Sequence, residues 1–268
     1  MALVVLPLLP EGPFGPFGGV RPRQLWLLVL FFSGLSFAGY VARRIVGTGH
    51  GYLVTGLLGG LISSTNVTFT FARMSRSEPA LEGALAVGAV GANAMVFPRL
   101  LLATTILNPT VVGPLTLYLA APAFAALVVV VVGARKATTV PTHEMPSANP
   151  LQLKSALQMA ALFQVVLMAV HIARERWGAS GVFASAAVLG LSDVDALTVS
   201  MAQDVADALS PAIAATAIGV GVLSNTAMKI ALAWLFGSPR FRVVAAGSLL
   251  LMFGALALAL ALGARMLS

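Results

Sequence analysis

The chain has 268 residues, of which 59% are hydrophobic and only 9% are charged, and its mean hydropathy is +0.95. Soluble globular domains carry about 25% charged residues, so this composition excludes a water-soluble globule and a disordered segment. The excess of 16 Lys and Arg over 9 Asp and Glu is typical of loops beside a membrane, and we expect no nucleic-acid partner. Zero cysteines exclude disulfides, thiolate metal sites and cysteine nucleophiles.

Charge-poor stretches divide the chain into membrane segments, since a transmembrane helix needs about 20 apolar residues. The sequence predicts about eight of them, at 25–46, 51–73, 79–107, 110–133, 151–173, 178–203, 209–236 and 241–265. A tail with a Pro/Gly linker occupies 1–24, and a polar loop at 134–150 separates a first membrane unit, 25–133, from a second, 151–268. We therefore predict an all-α polytopic membrane protein whose first partner is the lipid bilayer.

The two membrane units resemble each other. At one constant offset, identical residues align without a gap: Gly51 with Gly181, Gly60-Leu61 with Gly190-Leu191, Thr68 with Thr198, and Ala72 with Ala202. We call this spacing the repeat offset. An Asn-bearing helix with a following cation also recurs, as Asn93 with Arg99 and as Asn225 with Lys229. This order of features predicts two structural repeats, a common architecture of membrane transporters.

The second and sixth segments combine glycine with polar residues, in GGLISSTN and GLSDVD. Non-helical backbone at membrane depth is tolerated where it is buried in protein or lines a cavity, so we predict that both segments are broken or re-entrant. Two topologies stay open. Full crossings keep the two repeats parallel, whereas re-entrant segments invert the second repeat and gather more Lys and Arg on one side, which the positive-inside rule favours.

Five stretches carry a family pattern: LPLLPEGPFGPFG, LWLLVLFFSGLSFAGYVARR, GLLGGLISSTNVTFTFAR, NPLQLKSALQ and GLSDVDALTVSMA. With them the chain resembles the C-terminal membrane domain of the MgtC/SapB-type bacterial membrane proteins, a domain without an established activity. The resemblance implies a multi-pass protein of the bacterial cell (inner) membrane and an MgtC-like domain or protein as a partner. The association of MgtC with magnesium limitation hints at cations. The family typically reads SSTATT where this chain reads Ser63–Thr68 as SSTNVT, so the role of Asn66 stays open.

Asp193 and Asp195 are the sharpest functional signal, because a carboxylate at bilayer depth costs at least about 2.5 kcal/mol and is kept mainly for function. If the segment unwinds near Gly190, both carboxylates, with Ser192 and backbone carbonyls beside them, can face one cavity and bind a cation as metal ligands. The alternative is structural: one aspartate pairs with Lys229 or Arg99, and the other caps a helix.

Hydroxyl and amide side chains stand at the equivalent positions of the first repeat: Ser63, Ser64, Thr65 and Asn66. Hard cations prefer oxygen ligands, so these residues complete the predicted ion-binding site. Single hydroxyls, however, often bond to their own helix carbonyls or join helices.

Four further polar residues form a predicted supporting network. Arg99, which follows a predicted kink at Pro98, and Lys229 lie in apolar surroundings and must find an anion or snorkel to an interface. Asn93 and Asn225 are predicted to form hydrogen bonds between helices, because buried amides need partners in hydrocarbon.

The sequence thus favours a transporter or channel for a small ion, with a cation preferred, that uses a midplane site between the two repeats. The alternative is a regulatory or scaffolding membrane subunit whose polar residues only hold helices together. We expect no enzyme activity, because an aspartyl dyad needs carboxylates from separate helices and these two come from one short run. We expect no cofactor apart from a bound cation, and a homo-oligomer.

Overall fold

The computed structural model of the protein describes residues 22–46, 51–136, 153–207 and 209–267, together with 5 and 7–10. These residues are almost entirely helical and include no strand. Most of the predicted tail 1–24 and of the predicted loop 134–150 lies outside them. The helices are α1 (Pro22–Val46), α2 (Gly51–Ser77), α3 (Glu82–Ala94), α4 (Val96–Leu107), α5 (Val112–Lys136), α6 (Leu153–Ser192), α7 (Val194–Asp207), α8 (Pro211–Phe236) and α9 (Gly247–Leu267).

Short turns connect the longer helices. 3₁₀ turns at Pro79–Leu81 and Pro109–Val111 precede α3 and α5, and a helical turn at Pro239–Phe241 with a π-helical segment at Arg242–Ala246 precedes α9. A polar residue just before a proline caps the turn that precedes α5, the start of α8, and the turn that precedes α9. Asn108 accepts from the amide of Thr110, Ser210 from that of Ile213, and Ser238 from that of Phe241. Proline fits the first helical position because no intrahelical partner needs its N–H.

Among the described residues, five stretches are long and apolar enough to cross a membrane: Gly51–Ser77, Pro79–Leu107, Pro109–Arg135, Pro211–Phe236 and Pro239–Gly263. A shorter apolar helix covers Ser180–Ser192. The helical class is therefore confirmed, and these spans fit a membrane protein.

Helix α2 folds back on itself at Ser63, whose backbone is non-helical (φ −162°, ψ 103°). The rings of Tyr52 and Phe71 pack edge to face with centroids 5.7 Å apart, whereas the two residues would lie about 28 Å apart along a straight helix. The limbs before and after Ser63 thus form a helical hairpin, which we call hairpin 1 (Gly51–Ser77).

A second helical hairpin is formed by the end of α6 and by α7. Helix α6 turns sharply at Gly178 (φ 57°), a left-handed conformation that glycine adopts readily, and it ends at Ser192, with α7 beginning at Val194. The Ala186 carbonyl oxygen and the Leu197 side chain both lie against Gly221 of α8, although a straight helix would hold residues 186 and 197 about 16 Å apart. We call this unit hairpin 2 (residues 180–207). Its turn at Asp193 is related to Ser63 by the repeat offset.

The third predicted segment, 79–107, is divided at Met95 into α3 and α4. The sequence predicted a kink at Pro98 and not a division into two helices. The cause of the division is Pro98, whose ring clashes with the carbonyl four residues earlier and lacks the N–H that would bond it.

Close backbone contacts attach both hairpins to straight helices. A Cβ on Gly56 would meet the backbone of Gly88, and one on Gly190 would meet the backbone of Gly221. Small residues at such crossings let helices approach closely, which is the usual basis of helix association in lipid. Each hairpin is thereby held against one straight helix near its turn.

Candidate functional site

The turns of the two hairpins, hereafter tip 1 (Gly60–Asn66) and tip 2 (residues 190–196), each contain a helix cap. Ser63 Oγ accepts a hydrogen bond from the backbone amide of Asn66 at 3.3 Å. Asp193 Oδ1 accepts from the amides of Asp195 and Ala196 at 2.8 and 3.1 Å. The two side chains therefore begin the second limb of their hairpins in the same way, as N-caps.

Arg99 joins the two tips. Its guanidinium donates to the carbonyl oxygens of Gly60 and Leu61, at 3.2 and 3.3 Å, and Nη2 lies 2.8 Å from Asp195 Oδ2. The side chains of Arg99 and Asp195 are only 6% and 13% exposed. A cation at the carbonyl end of the first limb of hairpin 1 also complements that limb's helix dipole.

Lys229 of α8 reaches the other side of tip 1. Its Nζ donates to Ser64 Oγ at 2.8 Å, and both residues are buried. The ammonium thus bonds to a neutral hydroxyl at the start of a helical limb, where the helix dipole is positive and favours anions over cations.

Asn93 and Asn225 form hydrogen bonds as predicted for buried amides. Asn93 Nδ2 donates to Thr68 Oγ1 at 2.9 Å and to the carbonyl of Ala89, and Asn225 Nδ2 donates to the carbonyl of Gly190 at 2.9 Å. Each amide thereby ties a straight helix to one hairpin.

A small cavity, with room for a water-sized species, lies beside these amides. It is lined by Asn93, Val96, Phe97, Val222, Asn225, Thr226, Lys229, Leu249 and Met252. Its polar groups converge from α3 and α8, and its remaining walls are apolar. At the Arg99–Asp195 pair, two buried polar atoms have no hydrogen-bond partner among the described residues: Asp195 Oδ1 and Arg99 Nε.

The structure brings most of the predicted site residues together, but in different roles. Both carboxylates already accept from donors in the protein, and no group of three or more His, Asp or Glu side chains converges within the described residues. Cation binding by Asp193 and Asp195 stays a prediction. The side chains of Ser192 and Asn66 are exposed and that of Thr65 is half-buried.

The tip carbonyls of Gly60 and Gly190 accept from Arg99 and Asn225. The sequence predicted backbone carbonyls as cation ligands beside the aspartates but did not identify these two, because backbone acceptors leave no mark in side-chain chemistry. Their equivalence under the repeat offset was the one signal for them.

Residues 30–237 match the family described as "Domain of unknown function (DUF4010)". The chain belongs to this family. It is also similar to an uncharacterized protein of Aquifex aeolicus (strain VF5), with 27% identity over 203 residues that cover 74% of this chain and 86% of the relative. No solved structure matches the chain.

Proposed function

We propose that this DUF4010 protein is an integral membrane transporter or channel for a small ion, with its site between tip 1 and tip 2. The observation that carries the proposal is the meeting of two interrupted helices around the buried Arg99–Asp195 pair. Broken helices whose ends face a polar interior are the usual ion and substrate sites of transporters built from repeats.

Contacts at one end of the molecule support re-entrant hairpins. Arg76, in the last turn of hairpin 1, donates to the carbonyls of Leu235 and Gly237 at the end of α8, and Ser75 Oγ accepts from the amide of Ser238. If hairpin 1 and hairpin 2 both crossed the membrane fully, residues 73–76 and 237–242 would lie on opposite sides. Their contact favours the topology with more Lys and Arg on one side.

Contacts at the other end support inverted repeats. Asn108 Nδ2 donates to the carbonyl of Ala202 in hairpin 2. The repeat offset relates Asn108 to Ser238 and Ala72 to Ala202, so each loop contacts the hairpin of the other repeat. With re-entrant hairpins each repeat crosses the membrane three times, and the second repeat is inverted.

The proposed setting follows the resemblance to MgtC/SapB-type proteins. We place the chain in the bacterial inner membrane as a multi-pass protein, with an MgtC-like domain or protein as partner and with self-association into a homo-oligomer.

The competing function is a scaffolding or regulatory membrane subunit. It is favoured by the internal engagement of both carboxylates: Asp193 caps α7, and Asp195 pairs with Arg99. On this hypothesis the polar centre holds the repeats together and moves no ion.

Single cysteines test the topology without background, since the chain has none of its own. Three exposed positions are suited to this test: Ser77→Cys, Thr110→Cys and Arg240→Cys. Membrane-impermeant maleimide should label positions 77 and 240 from one side and position 110 from the other. Labelling of 240 and 110 from the same side, with 77 opposite, would contradict re-entrant hairpins.

Flux into proteoliposomes tests transport. The purified chain should carry at least one species from a panel of protons, Na⁺, K⁺, Mg²⁺ and halide, and Ser64→Ala should lower that flux. Ser248→Ala is a matched control, because within the described part of the chain Ser248 bonds to the Val244 carbonyl of its own helix alone. Flux equal to that of empty liposomes for every species would leave the scaffolding function as the better explanation.

A further inference from the structure

Lys229 is a buried cation whose hydrogen-bond partner is a hydroxyl. The residue is 2% exposed, it lies within the span Pro211–Phe236, and its ammonium donates to Ser64 Oγ. A charged side chain in such surroundings is stable when a counter-charge accompanies it. A hydroxyl dipole supplies only part of that compensation.

Neither nearby carboxylate bonds to Lys229 among the described residues, although Asp195 Oδ1 is buried without a hydrogen-bond partner. Asp195 Oδ2 pairs with Arg99, and Asp193 Oδ1 accepts from two backbone amides at the start of α7. The four formal charges sum to zero, but the hydrogen bonds do not distribute them evenly. Arg99 pairs with the carboxylate of Asp195, and the positive end of α7 is capped by the carboxylate of Asp193. Lys229 bonds to the neutral hydroxyl of Ser64.

The position of Ser64 increases the local positive potential. It begins the second limb of hairpin 1, directly after the non-helical Ser63. First-turn amides of a helix lack intrahelical acceptors, and the helix dipole adds about half a positive charge at this end. Lys229 and this helix start therefore repel each other, and an anion near both would relieve the repulsion.

The cavity beside Lys229 offers room and further donors. Asn225 lines it and uses Nδ2 on the carbonyl of Gly190, so the second N–H of that amide is available to a ligand. The apolar wall suits a weakly hydrated ion that needs few donors. The space is water-sized, so a larger halide enters when side chains of the wall, such as that of Met252, shift outward.

We infer that the ligand of this site is a small inorganic anion of halide size, held in the cavity by the Lys229 ammonium and the Asn225 amide, with the Ser64 hydroxyl orienting the ammonium from outside the cavity. This inference rests on the proposed function, which it narrows from an ion to an anion. It departs from the cation that the sequence favoured, because Asp193 Oδ1 and Asp195 Oδ2, two of the oxygens on which that preference depended, already accept from donors of the protein.

Thermal stability of the purified chain in detergent tests the inference without flux. The melting temperature of the wild type should rise in sodium bromide relative to an equal concentration of sodium gluconate, whose anion is too large for the cavity. The rise should be lost in Lys229→Met and kept in Arg73→Gln, an exposed arginine that lies over the Phe69 ring away from the tips. Equal rises in the wild type and Lys229→Met, or no rise in either, would overturn the inference.

Two further measurements test the inference if Lys229→Met fails to fold. Ser64→Ala keeps the ammonium and should weaken the bromide response several-fold, and wild-type crystals grown in bromide should show an anomalous peak within hydrogen-bond distance of Lys229 Nζ. Absence of that peak would refute the anion site. If the protein moves Na⁺ or protons while bromide neither binds nor moves, the inference fails and the proposed function stands; if bromide binds and no ion moves, the site stands and transport fails.

Discussion

Tip 1 and tip 2 use the same backbone geometry with different charges. Ser63 and Asp193, which the repeat offset makes equivalent, both cap the second limb of their hairpin. The next polar side chains differ, since tip 1 presents the neutral Ser64 and tip 2 presents the carboxylate of Asp195. The comparison shows that capping needs only a side-chain oxygen. The charge difference that matters for the cations lies at the next polar side chains, Ser64 and Asp195.

The side chains of the two tips bind different cations. Arg99 comes from the first half of the chain and pairs with tip 2, while Lys229 comes from the second half and bonds to tip 1. The cation of each half thus contacts a side chain in the hairpin of the other half. The Arg99 link is a full ion pair and the Lys229 link is a charge on a hydroxyl, so we expect the first to contribute more to stability and the second to respond more to a ligand.

The largest expected effect comes from breaking the Arg99–Asp195 pair. Asp195→Ala should destabilise the protein by about 3–5 kcal/mol, because it leaves a buried guanidinium without its carboxylate. The melting temperature in detergent should fall much further than for Ser64→Ala at the other tip.

A double variant, Arg99→Met with Asp195→Leu, provides the control. It removes both charges, so it should recover much of the lost stability. A double variant less stable than Asp195→Ala alone would mean that Arg99 acts chiefly through the carbonyls of Gly60 and Leu61.

The glycines near the tips should give the next largest effect. Gly60→Ala and Gly190→Ala should each cost about 1–3 kcal/mol, because the added methyl group would meet the backbone of Ala92 in one case and of Gly221 in the other. Gly254→Ala is a matched control, since a Cβ there meets nothing within 4 Å. If only one of the two alanine variants lowered the melting temperature, the two hairpins would not depend on their glycine contacts in the same way.

The sequence predicted the helical class well, and it indicated the non-helical backbone at Ser63 and the separation of α6 from α7. That these segments are re-entrant stays a prediction. The predictions of the class and of the interruptions depend on strong local signals: long apolar runs, and glycine next to polar residues inside them. The repeat offset pointed to Ser63 and Asp193 as equivalent positions, and both are caps. The division of 79–107 at Met95 was missed because Pro98 was treated as a kink, although its effect falls on the preceding turn.

The partners of the charged residues could not be predicted in the same way. Two cations and two carboxylates allow several pairings, and the choice of Arg99 with Asp195 depends on how the halves pack. The hydroxyl partner of Lys229 and the carbonyl partners of Arg99 are also set by tertiary contacts over long sequence separations. Composition predicts that such groups need partners, and only the fold selects them.

The caps should have a moderate effect of equal size at both tips. Ser63→Ala and Asp193→Ala should each destabilise by about 0.5–2 kcal/mol, and Asp193→Ser should recover most of the loss because serine keeps the cap. Ser210→Ala removes a comparable cap from α8 outside the tips, so it should lower the melting temperature without affecting ion flux. A loss for Asp193→Ser as large as for Asp193→Ala would indicate that the negative charge itself is needed.

The smallest expected effect on stability belongs to the two asparagines, and it should differ between them. Hydrogen bonds between membrane helices contribute about 0.6 kcal/mol on average and up to about 1.7 kcal/mol. Asn93 makes two bonds through Nδ2, to Thr68 and Ala89, whereas Asn225 makes one, to Gly190. Asn93→Ala should therefore lower the melting temperature more than Asn225→Ala. The bromide response should show the reverse order, because Asn225 keeps an N–H for the ligand while Asn93 has used both of its own. If Asn93→Ala abolished the bromide response and Asn225→Ala did not, the anion would bind on the α3 side of the cavity, and the amide of Asn225 would be a helix contact alone.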